Sequence, residues 1–383
     1  MHDWLVPSRV DAWRPRRVLH VVLDLQAGGL ERLVGHLVQR VDGDRFQSGV
    51  LSIGDPGRYA EGLGADRVRV AEGMSRWSML WPGRLAREIR RFAPDVVHTH
   101  SGVWYKASLA ARLAGVARVV HTDHGRLHPE PWQVRLLDRL AARRTDVVVA
   151  VSERLAGDLA AGIVGDARRI RVIVNGVDTD AFCPRPDNGV IRRELGIAPD
   201  APVVGSIGRF DPIKGYDVML RAWALLCRRR EPGPEPVLVI AGEGPEGGAL
   251  ARLVHDLGIE ATVRLLAWRS DVADLHAAFT VFTLASHSEG TSLSLLEAMS
   301  AGICPVVTEV GGNRAVVGSG LSHRVVPPAD PESLATAWID ALRDVARRQR
   351  DAQLARGRVQ AGFGIAAMVR SYERLYAGDG VST

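Results

Sequence analysis

Lysine is nearly missing from this 383-residue chain: Lys106 and Lys214 stand against 47 arginines. Arginine is therefore the default source of basic surface, and a lysine set in a turn stands out. Cysteine is as scarce. Cys183, Cys227 and Cys304 are too few and too scattered for a disulfide framework and lack metal-ligand spacing. Aromatic residues make up 5% of the chain and are not interleaved with the arginines in a recognised motif. The net charge of +5 thus gives no reason to expect a nucleic-acid partner. No apolar run approaches the ~20 residues of a spanning helix, and residues 1–17 show no apolar core of the signal-peptide kind. A cytoplasmic location is expected.

What is present is a soluble, globular composition, 46% apolar and 24% charged, in a chain long enough for two domains. Short apolar runs alternate with amphipathic segments from end to end. In the first half they fall at 18–23, 96–99, 119–122, 147–151 and 170–174, and in the second at 203–207, 237–241, 263–266, 281–284 and 304–307. This alternation predicts parallel sheets covered by helices. The fold class is α/β, with two doubly wound, Rossmann-like domains whose ligand edges lie at the carboxyl ends of the strands. The expected domains are 1–178, 179–363 and a C-terminal helix, 364–383, packing back on the first. The joint is expected within the turn-rich segment 175–189, NGVDTDAFCPRPDNG, with ligands in a cleft between the domains. Charge is uneven: residues 1–180 carry a net +6 and the remainder −1. A basic first half suits an acidic acceptor or an anionic membrane surface, although such a spread is more often solvated surface.

Residues 286–312, SHSEGTSLSLLEAMSAGICPVVTEVGG, carry the strongest chemical signal. A polar turn leads into an apolar helix that Thr291 or Ser292 can cap, Gly302 stops the helix, and a buried strand follows. Glu289 lies just outside the helix start and Glu297 more than a turn inside. Two carboxylates beside free backbone N–H groups suit the hydroxyls of a sugar and a ribose better than a metal. GRFDPIKG places Arg209 and Lys214 five apart across a turn after a strand, where a compact ammonium can approach a phosphate oxygen. Gly28 and Gly29 follow the first strand and allow close backbone approach, although such a pair also serves a plain tight turn.

Four histidines cluster as His98 and His100 in VVHTHS and His121 and His124 in VVHTDHGR. HxH with HxxH and no placed carboxylate is a weak zinc pattern. His98 and His121 are read as strand-end residues with satisfied hydrogen bonds, and His124 as facing a ligand. Gly242, Gly244 and Gly247 satisfy G-x-G-x-x-G, but the next strand supplies no acid for a ribose. Two D-x-D pairs, Asp42/Asp44 and Asp178/Asp180, lie in turn-rich segments where Asx-turns explain them. No metal is required.

Together, the GG loop, TDHG, NGVDTDAF, GRFDPIKG and EGTSLSLLEAM…VGGN resemble glycosyltransferase family 4 in content and order over nearly the whole chain. The resemblance implies a GT-B fold: two Rossmann-like domains facing a cleft, a nucleotide-diphosphate sugar such as a UDP- or GDP-sugar as donor, no metal or cofactor, and retention of anomeric configuration. By position it implies that Glu297 accepts from ribose hydroxyls. Glu289 would hold the donor sugar, assisted by backbone N–H groups from Gly290 through Thr291 and Ser292 to Leu293. Arg209, Lys214 and the Gly29 backbone would neutralise the leaving diphosphate, and His124 would contact the sugar from the other domain. Departures are Arg314 and Ala315 where a Glu is common, Ser292 in place of Gly, Thr280 and Ala285 for Asp and Pro, and Ala267–Trp268 near the base pocket.

The expected activity is sugar transfer to a saccharide or lipid-linked hydroxyl, as in exopolysaccharide or glycolipid synthesis. The alternatives are a nucleotide-sugar epimerase of similar shape and a non-catalytic nucleotide-sugar-binding partner. Trp77 and Trp81, ahead of an arginine-rich helix, leave open a peripheral contact with the inner face of the plasma membrane.

Overall fold

The computed structural model describes residues 14–26, 28–71, 82–126, 130–229 and 232–379. Trp4, Trp13, Trp77 and Trp81, and with the last two the interfacial patch expected around them, lie outside these residues. The chain divides into two compact units, Met1–Val174 with Ala366–Thr383, and Asn175–Ile365.

The first unit is built on a seven-stranded sheet in the order β3-β2-β1-β4-β5-β6-β7. Its strands are β1 (Arg16–Val22), β2 (Phe46–Ser52), β3 (Val68–Val70), β4 (Val96–His100), β5 (Arg118–Asp123), β6 (Val147–Ala150) and β7 (Ile170–Val172). The second unit has six, in the order β10-β9-β8-β11-β12-β13. These are β8 (Val203–Ile207), β9 (Val237–Ala241), β10 (Val263–Leu266), β11 (Val281–Leu284), β12 (Cys304–Thr308) and β13 (Val325–Val326). Neighbouring strands pair in parallel throughout. Helices therefore cover both faces and the strands are buried on both; β6 and β9 are wholly apolar, whereas β4 and β5 also bury His98, Thr99, His100, His121, Thr122 and Asp123.

Ten of these strands coincide with the apolar runs of the sequence. Three do not: β2, β3 and β13 are either short or interrupted. In β2, Gly49 sits mid-strand, where an added Cβ would lie 2.8 Å from the Phe92 ring. The glycine admits a bulky neighbour and so breaks the apolar pattern that marks a strand.

Strand order reverses between β1 and β4 and again between β8 and β11. At such switch points the loops leaving adjacent strands diverge to opposite faces and leave a crevice beyond the carboxyl edge. The chain leaves the first unit at Val174 and returns at Ala366. Beside these crossings Val177 N–H donates to Phe363 O (2.9 Å) and Ile365 N–H to Val177 O (3.0 Å). From Ala366 on, the helix Ile365–Ala377 belongs to the first unit, where Tyr372 and Tyr376 are fully buried.

Candidate functional site

In the second unit the switch point is framed by the loops that follow β8 and β11. After β8 the chain runs through Gly208 and Arg209 into a single 3-10 turn, Pro212–Lys214. Asp211 caps this turn, its carboxylate accepting from Ile213 N–H at 3.2 Å. Gly215 then adopts φ 61°, and an added Cβ would lie 2.2 Å from Ala285 O. Only glycine lets the turn press on the loop after β11, where His287 N–H donates to Ile213 O (2.7 Å).

That approach carries Lys214 to Glu289. The ammonium donates to Glu289 Oε1 at 2.7 Å, with the two side chains 20% and 8% exposed. Ser286, fully buried, donates through Oγ to the same oxygen at 2.7 Å. Thr308 in turn holds the Ser286 carbonyl (2.8 Å), and Asn313 holds that of Thr308 (3.1 Å). Behind Glu289 lies the GG turn. Gly312 N–H donates to Gly290 O at 2.8 Å, and an added Cβ on Gly311 would fall 1.7 Å from Glu289 O.

Ser292 caps the helix Leu293–Ser300, as expected, by accepting from Leu295 N–H (3.4 Å). The start of this helix is braced from the turn-rich segment, where Asn175 Nδ2 donates to Thr291 O at 2.7 Å. Gly290, Thr291, Ser292 and Leu293 are all buried. Glu297 is 2% exposed, one turn further in. The structure thus brings together Lys214, Glu289 and residues 290–293 at one sheet edge. Arg209 stays further out: its side chain is 59% exposed and paired with Asp211 at 2.7 Å. Sequence reasoning missed Ser286, Asn175 and Asp211. The available signals were a polar residue shortly after a strand for Ser286 and Asn175, and an Asp ahead of Pro212 for the cap Asp211.

The features set aside also find their places. Gly242 and Gly244 serve close packing of the β8 and β9 loops, since added Cβ atoms would lie 2.0 Å from Gly208 O and 2.3 Å from Phe210 O. Both D-x-D pairs form Asx turns, Asp42 accepting from Asp44 N–H (3.0 Å) and Asp178 from Asp180 N–H (3.1 Å). Arg314, at the position of the missing Glu, pairs with Glu309.

In the first unit, Gly28 is extended at φ −170° and precedes the helix Gly29–Arg40, so Gly29 opens the helix after β1. A Cβ on Gly28 would meet the Glu31 carboxylate at 2.2 Å. His124 is half-buried just beyond β5; its backbone N–H donates to Ser101 Oγ at 3.0 Å. Burial pushes its imidazole pKa down to about 3, so the ring is neutral at physiological pH. His98 and His121 are buried with hydrogen-bonded rings. His98 reaches Tyr376 Oη (2.8 Å) and Thr122 Oγ1 (2.7 Å), and His121 Nδ1 reaches Thr99 O (3.1 Å).

Residues 27–181 match the family model described as Glycosyltransferase Family 4, and residues 187–358 that described as Glycosyl transferases group 1. A D-inositol 3-phosphate glycosyltransferase of Frankia alni is 34% identical over 304 residues, covering 74% of this chain and 74% of its own length. Another, of Corynebacterium urealyticum, is 31% identical over 65% of this chain, and the match spans only 62% of that relative. A GDP-mannose-dependent alpha-(1-6)-phosphatidylinositol monomannoside mannosyltransferase of Mycolicibacterium smegmatis is 32% identical over 65% of this chain and 69% of its own. Among solved structures, Anabaena HepE in complex with UDP and glucose aligns with a TM-score of 0.82 at 22% identity, over 95% of this chain and all of that one. A glycosyltransferase from Rickettsia africae gives 0.77 at 19% identity, over 96% and 99%. At these identities the structural likeness establishes the architecture, two parallel-sheet α/β units of the GT-B type.

Proposed function

Because the chain belongs to glycosyltransferase family 4, we propose that it moves a sugar from a nucleotide-diphosphate sugar to a hydroxyl acceptor, with retention of anomeric configuration. The observation that carries this reading is the Lys214–Glu289–Ser286 constellation at the β8/β11 switch point. Glu289 Oε1 already accepts two hydrogen bonds, which fixes the carboxylate and leaves Oε2 for sugar hydroxyls. Lys214 spends one of its three N–H donors on that contact and has two to turn toward a phosphate oxygen.

Transfer replaces the bond between the anomeric carbon and the diphosphate oxygen with a bond to the acceptor oxygen on the same face. The acceptor proton passes to the departing phosphate oxygen. Negative charge grows on the diphosphate as that bond breaks, and Lys214, Arg209 and the amide of Gly29 meet it. Donors aimed at developing charge favour the transition state over the ground state, which accelerates the step. Backbone N–H groups at residues 290–293 add the partial positive charge of a helix start. Glu297 holds the ribose, and His124 is the sugar contact of the first unit. With the charge met by side chains and amides, neither a metal nor a cofactor takes part, and activity is expected to persist in EDTA.

The relatives named for inositol phosphate and phosphatidylinositol mannoside support a polyol or saccharide acceptor, free or lipid-linked. A cytoplasmic enzyme using a lipid-linked acceptor would work peripherally at the membrane, where the basic first half favours anionic lipid.

The test is a panel of UDP- and GDP-sugars, first for thermal stabilisation and then for transfer, with the product anomer read by NMR. Lys214→Ala is expected to lower kcat/KM about 100-fold or more, the loss typical of one transition-state donor. Glu289→Gln should impair transfer while the protein still binds the nucleotide alone. Full activity in both variants, or an inverted product, would refute the assignment. Isomerised sugar formed from donor alone would replace it with an epimerase.

A further inference from the structure

A row of imidazoles runs through the first unit from the interior of its sheet to the carboxyl edge. His20 in β1 lies opposite His98 in β4 in the strand register, and His100 follows two residues on, so all three project from one face. His20 Nδ1 is 3.2 Å from His100 Nε2, and His100 Nδ1 is 3.1 Å from His124 Nε2. His20, His98 and His100 are fully buried, and His124 is half-buried. At the inner end, His20 Nε2 is buried with no hydrogen-bond partner among the described residues. At the outer end, His124 Nδ1 has no partner among them.

Each of the two nitrogen–nitrogen contacts needs one proton, so three neutral rings can be ordered in only two ways. If the protons point inward, His124 donates to His100 and His100 to His20, which leaves a buried N–H on His20 Nε2 with nothing to accept it. If they point outward, His20 donates to His100 and His100 to His124. His20 Nε2 then keeps a bare lone pair, and His124 carries its proton on Nδ1, at the open end. Orphaned buried N–H groups are rarer in folded proteins than under-satisfied acceptors, so the outward order prevails. Burial, which pushes the His20 and His124 pKa values down to about 3 and that of His100 well below its usual range, keeps the row uncharged near neutrality.

We propose that His20 and His100 are positioning residues that hold His124 as a neutral Nδ1–H tautomer, so that it presents a hydrogen-bond donor to an oxygen of the donor sugar. This rests on the sugar-transfer reading for its ligand, but the tautomer itself does not depend on that reading. The ring nitrogen that faces the partner histidine fixes which nitrogen carries the proton toward the ligand. A neutral donor suits a sugar oxygen because it orients the hydroxyl without adding a second fixed charge. His20, His98 and His100 also lie close enough that one ring nitrogen from each falls within 4.8 Å of the others. A metal is disfavoured there because both His98 nitrogens are already engaged, by Thr122 and Tyr376, and no carboxylate among the described residues joins the group.

The experiment is long-range proton–nitrogen NMR on uniformly 15N-labelled full-length protein at pH 7.5, with the His124 signals identified by their loss in His124→Asn. The wild type is expected to show His124 protonated at Nδ1. In His100→Leu it should revert to the Nε2–H form that neutral histidine favours in water, and kcat for transfer should fall about 10-fold with donor KM changed less than 3-fold. His100→Gln, whose amide N–H can again donate to His124 Nε2, should restore the Nδ1–H form and most of the rate. Wild-type His124 found as Nε2–H would overturn the proposal, as would an unchanged tautomer in His100→Leu. One equivalent of zinc retained by purified protein and lost in His98→Asn would replace the row with a metal site. Should no donor sugar be transferred while the Nδ1–H pattern holds, the functional reading fails and the histidine row stands.

Discussion

Lys214 and Glu289 lie 75 residues apart, yet one 2.7 Å contact joins them, and the difference between those figures marks what sequence can reveal at this scale. The rarity of lysine and the placement of each residue after a strand pick out both side chains. Their meeting depends on β8 pairing with β11, a long-range choice that no local pattern encodes. Ser286 is harder still, because a serine at a strand end carries no chemical signature until its Oγ is seen on Glu289 Oε1. Gly311 is the residue on which the carboxylate's backbone leans. It sits at φ 51°, and an added Cβ would overlap Glu289 O at 1.7 Å. Gly311→Ala should cost about 1–2 kcal/mol for the left-handed backbone alone, with the overlap adding to it. Urea denaturation would read that loss, and nucleotide-sugar titration should show weakened donor binding as Glu289 is displaced. Gly320→Ala, which meets nothing within 4 Å, is the control and should leave donor binding unchanged.

Among elements, the runs that became central strands were plain because both faces of a parallel sheet are covered and each strand carries at least two adjacent apolar residues. Among the edge and near-edge strands, β2, β3 and β13 carry the weaker signals, whereas β7 and β10 fall on apolar runs. β3 spans three residues, all partly exposed, and β13 only two. Neither is long enough for a period to register. The helix Leu293–Ser300 was legible for the opposite reason, with a cap, an apolar body and a glycine stop in sequence. Its cap departs from the glycine common in the family, and the structure shows the Ser292 hydroxyl accepting from Leu295 N–H. Ser292→Ala should therefore destabilise the second unit by about 1 kcal/mol, whereas Ser292→Gly should cost only a few tenths. Thermal melts of the two variants would separate them, and equal losses would mean that the hydroxyl does not cap.

For the whole molecule, the buried histidines tie stability to acidity. His20, His98, His100 and His121 are at most 1% exposed, and burial drives each imidazole pKa down, that of His20 to about 3. The unfolded chain, with ordinary values near 6.5, binds protons that the folded chain refuses, so stability is whole above that pH and is lost as pH falls below it. One such group gives a slope of about 1.4 kcal/mol per pH unit. Urea denaturation between pH 6.5 and 5 should show a steeper loss, because several histidines contribute; a shallower one would mean that the rings take up protons without unfolding. The histidine face is sealed by Tyr372 and Tyr376 on the helix Ile365–Ala377, which follows every strand of the sheet in the sequence. On the ribosome, then, the strands of the first sheet emerge early but must wait for the helix Ile365–Ala377 before their histidine face is covered. A face lined with imidazole and hydroxyl groups can stay wetted through that delay, where a greasy one would invite a neighbouring nascent chain.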